Sequence, residues 1–184
     1  MLRKYLIGFF ILFPLFCHTQ NTVEQFYEAF NQKNWAKVKS LIDKDLLCIT
    51  NNQKGASKQE FYDNLYRNDV WFAEWKILSM TETAENKFLI NGTFTDEYYL
   101  FLYGAPVEGK WVYTVGNNGK IVAIKWLDFP ENPNQERGDQ REKEFHNWCV
   151  ANHPADADIN RSYSQQYALK FRDMLREYIK TKGE

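Results

Sequence analysis

The chain has 184 residues, 23 of them basic and 24 acidic, for a formal net charge of −1, so it lacks the basic excess that nucleic-acid binding requires. The length suits one domain of roughly 100 to 200 residues with an appendage, and 44% hydrophobic with 17% aromatic residues excludes a disordered chain. Six Trp, eleven Tyr and fourteen Phe supply large rigid faces for a core or a pocket wall.

Residues 1–19 read as an export signal. Arg3 and Lys4 give the charged start, Tyr5 to Phe16 the apolar run, and Cys17-His18-Thr19 a processing site before Gln20. Twelve residues are too few for a bilayer, which needs about 20, so the expected location is periplasmic or secreted, with no stable membrane insertion after cleavage. The alternative is a lipoprotein acylated at Cys17, against which bulky Phe16 stands immediately before it. After cleavage 21 basic residues face 24 acidic ones, and Cys48 and Cys149 are the cysteines left. An oxidising compartment permits a disulfide between them, whereas the setting Leu46-Leu47-Cys48-Ile49-Thr50 also suits a buried thiol acting as a small hydrophobe.

Thr22-Val23-Glu24-Gln25 has the pattern of a capping box, and Val23, Phe26, Tyr27 and Phe30 then fall on one helical face. After Asn31-Gln32-Lys33-Asn34 a second helix is capped by Asn34 and buries Trp35, Val38, Leu41 and Ile42. Leu46 to Thr50 is a short strand. Ser57-Lys58-Gln59-Glu60 is a second capping box, opening a third helix with Phe61 and Leu65 inward. From Phe72 the period changes to two, and Phe72 to Thr81, Lys87 to Phe94, Glu97 to Tyr103, Lys110 to Val115 and Lys120 to Leu127 read as strands of an antiparallel sheet. Gly116-Asn117-Asn118-Gly119 is the clearest hairpin. In the last strand Val122, Ile124, Trp126 and Asp128 share one face, and Ile121, Ala123, Lys125 and Leu127 the other. Pro130 to Arg141 is a polar linker that closes a domain at residues 20–130. The extension, 131–184, holds two helices, one around Glu144 to Val150 and one from Ser162 to Thr181 whose stripe of Tyr163, Tyr167, Phe171, Met174, Leu175 and Tyr178 must bury against the sheet's outer face or a partner.

Phe26-Tyr27-Glu28-Ala29-Phe30-Asn31, Asn34-Trp35, Leu41-Ile42-Asp43-Lys44-Asp45 and Asn118-Gly119-Lys120-Ile121-Val122 occur in the order in which the nuclear transport factor 2-like superfamily carries similar segments. From Val23 to Asp128 the chain resembles that superfamily, in particular its SnoaL-like branch. The resemblance implies an α+β fold, a cone-shaped curved antiparallel sheet wrapped around three N-terminal helices, here with a C-terminal helical extension. It also implies a conical pocket and frequent homodimers through the sheet face. It names no single activity, because this fold hosts isomerases, cyclases, dehydratases, binding modules and assembly domains. Counting from the same segments, the catalytic positions of the steroid-isomerase type fall near Phe26, Thr50 and Trp111, none of which supplies the expected hydroxyl, base or acid. Tyr27 is next to Phe26, but about 100° round the helix. The cyclase-like pattern places an aspartate late in the last strand, matched by Asp128. A carboxylate among aromatic rings would have a raised pKa suited to moving protons. Before Phe129-Pro130, however, an aspartate more commonly accepts backbone hydrogen bonds.

His146, Cys149 and His153 lie at i, i+3 and i+7 with donor chemistry for a metal, but one helix rarely supplies three ligands to one ion, so no metal site is expected. No phosphate loop, dinucleotide fingerprint or Ser-His-Asp order is visible, and no cofactor is expected. The leading expectation is an exported pocket protein that binds a small apolar or aromatic ligand without catalysis, its pocket lined by Phe26, Phe30, Trp35, Phe61, Leu65, Trp111, Tyr113 and Trp126. The alternatives are a cyclase or isomerase using Asp128, or another acid such as Glu74 or Asp96, and an assembly domain with a filled pocket.

Overall fold

The computed structural model describes residues 13–50, 53–54, 59, 61–62, 69–127, 132–157 and 165–183. The first helix, α1 (Phe13–Asn31), buries Val23, Phe26, Tyr27, Ala29 and Phe30. It begins well before Thr22, so the first capping box is not a helix start, and the expected processing point before Gln20 falls inside it. Thr22 instead donates its hydroxyl to the Gly119 carbonyl at 3.1 Å, pinning α1 to the far hairpin. Lys33, at φ 57°, reverses the chain, and the Asn34 side chain accepts from Lys37 N to cap α2 (Trp35–Leu41), as the sequence indicates. Ile42 ends the helix in extended conformation and opens β1 (Ile42–Thr50) rather than joining the helical stripe.

A six-stranded open sheet follows the order β2-β1-β6-β5-β4-β3, made by β1, β2 (Gln53–Lys54), β3 (Glu74–Ala84), β4 (Lys87–Thr95), β5 (Val107–Val115) and β6 (Ile121–Trp126). The β3 to β6 meander is antiparallel as expected, but β1 runs parallel to β6, so the sheet is mixed. Gly119 N donates to Gly116 O and Gly116 N to Lys120 O, with Gly119 at φ 73°, which confirms the hairpin. The face expected for β6 needs correction. Val115 pairs with Ile121 but Thr114 with Ala123, so Val122 is bulged and Ile121 turns inward with Ile124 and Trp126. The Ser57 capping box and Leu65 lie outside the described residues, while Phe61 and Tyr62 are helical.

Glu97 to Tyr103 is not a strand but a helix, α3. Asp96 accepts from Tyr99 N at 2.7 Å and Gly104 caps the end at φ 72°, so the flanking caps outweigh the β-type aromatics between them. The polar linker also turns helical early, as α4 (Gln135–Asn152), followed by α5 (Gln165–Lys182). Arg137 and Arg141 of α4 donate to Leu102 O and Phe101 O, closing carbonyls at the C-terminal end of α3.

Two separate cores result. The first holds α1, α2 and the sheet's inner face. The second gathers Val70 and Trp71, α3, Phe145 and Cys149 of α4, and Ala168, Phe171, Met174, Leu175 and Tyr178 of α5. The final stripe therefore buries against this chain's own helices rather than the sheet's outer face, and Tyr167 on it stays exposed. Tyr163 lies outside the described residues. Among those residues no helix is long and apolar enough to cross a membrane.

Gly92 admits the tight inner packing of the sheet: a Cβ there would come within 2.5 Å of the Lys76 carbonyl and 3.1 Å of the Trp111 ring. Because one clash is with backbone, Gly92→Ala is expected to destabilise by about 1–3 kcal/mol, read as a lower urea midpoint at unchanged slope.

Candidate functional site

The inner face of the sheet is an aromatic wall, assembled by cross-strand register. Met80, Ile90, Trp111 and Trp126 form one row, and Phe88, Tyr113, Ile124 and Cys48 the next. From the other side α1 brings Phe26, Tyr27 and Phe30 against it, because residues three and four apart share a helical face. Of the eight expected pocket residues, Phe26, Phe30, Phe61, Trp111 and Tyr113 are buried in this core, and Trp35 and Trp126 pack against it half-buried. Leu65 and Asp128 lie outside the described residues.

Two further residues are central. Trp75, on β3, has its ring centroid 4.8 Å from that of Trp111, 5.0 Å from Phe94, 5.9 Å from Phe30 and 6.2 Å from Tyr27. Its indole Nε1 is buried with no hydrogen-bond partner. Tyr27, set aside on helical angle, is as buried as Phe26, since two helical neighbours can both face a wall that curls round them. Its ring lies 5.8 Å from that of Tyr113. The two hydroxyls are close enough to influence each other's ionisation, and the buried Tyr27 Oη has no partner besides this neighbour. Burial pushes both phenols well above their ordinary value, with the Tyr27–Tyr113 interaction a smaller influence. The signal in the sequence was the unbroken aromatic content of Phe26-Tyr27 and Trp75. The period alone does not say how wide the buried face is.

The alternative acids do not enter this interior. Glu74 is exposed, and Asp96 is spent capping α3. Thr50 ends β1 and Trp111 sits buried on the penultimate strand, the places that counting assigned them.

Both described cysteines are free, Cys48 in the first core and Cys149 in the second, so the possible bridge between them is not formed and the buried-thiol reading holds. Burial raises each thiol to about 11. Nor do His146, Cys149 and His153 converge: His146 is exposed, Cys149 is packed inside, and His153 Nε2 lies 3.2 Å from Glu177 on α5. Among the described residues no three His, Cys, Asp or Glu side chains are grouped to hold a metal ion.

No protein-family model matches the sequence, and no curated protein matches it. Solved structures do. AclR from Streptomyces galilaeus, a proposed hydroxylase, superposes with a TM-score of 0.53 at 12% identity over 66% of this chain and 85% of AclR. Bal32a, from a soil-derived mobile gene cassette, gives 0.51 at 16% identity over 64% of this chain and 92% of its own. An NTF2-like protein of unknown function from Cytophaga hutchinsonii gives 0.49 at 14% identity over 62% and 92%. The chain has the nuclear transport factor 2-like fold. At such identities the likeness extends to the fold, and the chemistry of the interior is this chain's own.

The buried phenols make stability sensitive to alkali. Below the ordinary phenol value of 10.0 both states keep their phenol protons, and these groups add no slope. Above it the unfolded tyrosines ionise while Tyr27, Tyr113 and Tyr98, all raised by burial first, stay protonated. The native state then binds more protons, and stability is expected to fall by about 1.4 kcal/mol per pH unit for each such group. Urea midpoints at about pH 9 and about pH 11 measure this, and Tyr27→Phe should remove one group's share of the slope.

Proposed function

We propose that the cone binds a small aromatic or apolar molecule carrying one acceptor oxygen, a carbonyl or phenolic group, without transforming it. The observation that carries this reading is the buried Trp75 Nε1, which has no protein partner inside an aromatic interior, with Tyr27 Oη facing only the Tyr113 hydroxyl. An indole N–H can only donate and a tyrosine hydroxyl readily does, so the group they select is an acceptor. The described buried polar or charged residues are Thr22 and Asp96, one tied to Gly119 and the other capping α3, which favours a binder over a proton-transfer enzyme. The second reading, an assembly domain with a filled interior, is favoured by the ring contacts of 4.8 to 6.2 Å across the same space.

Export before Gln20 and a homodimer across the outer sheet face belong to the same proposal. The first rests on Arg3, Lys4 and the apolar run after them. The second rests on exposed Leu47 and half-buried Ile49, Leu89, Val112 and Ala123, which point away from the inner core.

Native mass spectra of protein recovered from the exported fraction are expected to show a small molecule that is lost on denaturation, a dimeric mass and a chain lacking residues 1–19. Titration with 2-naphthol and related phenols and ketones is expected to show binding that Tyr27→Phe weakens about fivefold, the value of one neutral hydrogen bond, and that Trp75→Phe weakens further because ring contacts are lost as well. A bare chain that takes up none of these compounds would establish the filled-interior reading.

A further inference from the structure

The segment 69–75 leading into β3 is held from several elements at once. Val70 O accepts from Arg172 Nη1 of α5 at 2.8 Å, and Trp71 O from Glu97 N at the start of α3 at 3.2 Å. Ala73 O accepts from Lys33 Nζ in the turn between α1 and α2. Trp75 is gripped at both backbone groups by the Asn31 side chain: Asn31 Nδ2 donates to Trp75 O at 2.8 Å, and Trp75 N donates to Asn31 Oδ1 at 2.9 Å. The side chains divide between the cores, Val70 and Trp71 in the second, Ala73 and Trp75 in the first.

Phe72, at the crossing point, has φ 54° and an exposed ring with the Arg172 guanidinium 5.8 Å from its centroid. A phenylalanine does not choose the left-handed region by itself. It is kept there because its neighbours are fixed on opposite sides, and strain of this kind persists only where the surroundings over-determine it. Phe72 cannot return to an ordinary φ while Trp71 and Trp75 both keep their places. Arg172 is itself largely buried, with Nε lacking a partner, so its bond to Val70 O is made in a site that water does not readily replace.

We propose that this segment couples the C-terminal extension to the cone, with Arg172 a positioning residue that sets Trp75 through residues 70–75. Docking of α5 and the placement of Trp75 are one equilibrium. Occupancy of the interior then biases the same equilibrium, and by linkage the extension tunes affinity for the ligand. This last step rests on the cone being a binding site, whereas the coupling itself does not.

The test uses the full chain. The Trp75 indole N–H resonance, identified by its loss in Trp75→Phe, and amide exchange at residues 70–75 are recorded first without ligand. Arg172→Met keeps the aliphatic bulk and removes the donor. It is expected to move the Trp75 indole resonance and to quicken exchange at Ala73 and Trp75 about tenfold, with β4 and β5 amides unchanged, and Arg172→Lys should recover part of both. The reciprocal variant, Asn31→Ala, should quicken exchange at Phe171 to Leu175 of α5. If Arg172→Met alters only Val70 and α5 while the Trp75 indole stays in place, the extension is an independent scaffold and the coupling is wrong. Should that variant not fold, the Asn31→Ala exchange decides alone: quickened exchange in α5 supports the coupling, and unchanged exchange overturns it. With 2-naphthol, Arg172→Met is expected to weaken binding about tenfold. Unchanged affinity beside a displaced Trp75 overturns the tuning of the site. A wild-type cone that binds no probe removes the binding reading and leaves the ligand-free coupling to stand or fall by itself.

Discussion

Asn31 holds Trp75 by both of its backbone groups, and much of the molecule is arranged around that clamp. A side-chain amide offers a donor and an acceptor side by side, so it completes one rung of a sheet edge as a neighbouring strand would. Here it does so at the start of β3, an outer strand of the sheet, whose far side has no strand partner among the described residues. The effect is twofold. One rung of an exposed edge is satisfied, which reduces its tendency to pair with another chain, and the end of α1 is fixed over the aromatic wall. With Thr22 bonded to Gly119 at the other end of the helix, α1 is pinned at both ends across the sheet's inner face. The burial of Val23, Phe26, Tyr27 and Phe30 between those pins then stabilises a helix already aimed correctly.

The second core has a different logic. It is built on α3, a seven-residue helix between β4 and β5 that is too short to persist without packing. Its caps and the two α4 arginines satisfy its ends, and Gly138 lets α4 approach Tyr103 more closely than any side chain would permit. The aromatic contacts do not stop at the boundary between cores. Phe94 of the cone meets Tyr99 of α3 edge-on at 5.2 Å, and Tyr98 beside it meets Trp71 and Phe171. Packed interiors transmit displacement because they have little free space, so the extension is joined to the cone by ring contacts as well as by the 69–75 segment.

What could be read from the sequence follows from how local each signal is. Asn34 capping α2, the Gly116 to Lys120 hairpin and inward Trp111 and Tyr113 on β5 depend on residues within a few positions, and they appear where the pattern puts them. The misread parts depend on partners far away. Tyr98, Leu100 and Leu102 alternate like a strand, but Asp96 and Gly104 bound the segment as caps, and helices that do not exist until the chain has folded complete α3. The Val122 bulge reverses one inward residue without any mark in the local pattern. Asn31 looked like an ordinary turn residue, since its partner is 44 positions away. For the site itself the aromatic list was legible, but its centre was not. Trp75 opens a strand whose outward residues are mostly exposed, and only the curl of the sheet over α1 brings its ring to the middle.

The character of the interior follows from which polar groups burial leaves unmatched. A buried donor without a partner costs about 1–3 kcal/mol, and native proteins seldom tolerate such groups without a reason. Replacement of Tyr27 by phenylalanine would keep nearly the same ring and remove the cost, so hydrophobic packing alone does not account for its hydroxyl. Trp75 Nε1 and Tyr27 Oη stand on opposite walls of one aromatic core, on β3 and α1, with ring centroids 6.2 Å apart. An acceptor reaching either group would recover a hydrogen bond, and its aromatic or apolar remainder would meet rings suited to it. On the binding proposal, a molecule without an acceptor oxygen would leave the Trp75 indole unmatched, which would make that oxygen the determinant of selectivity.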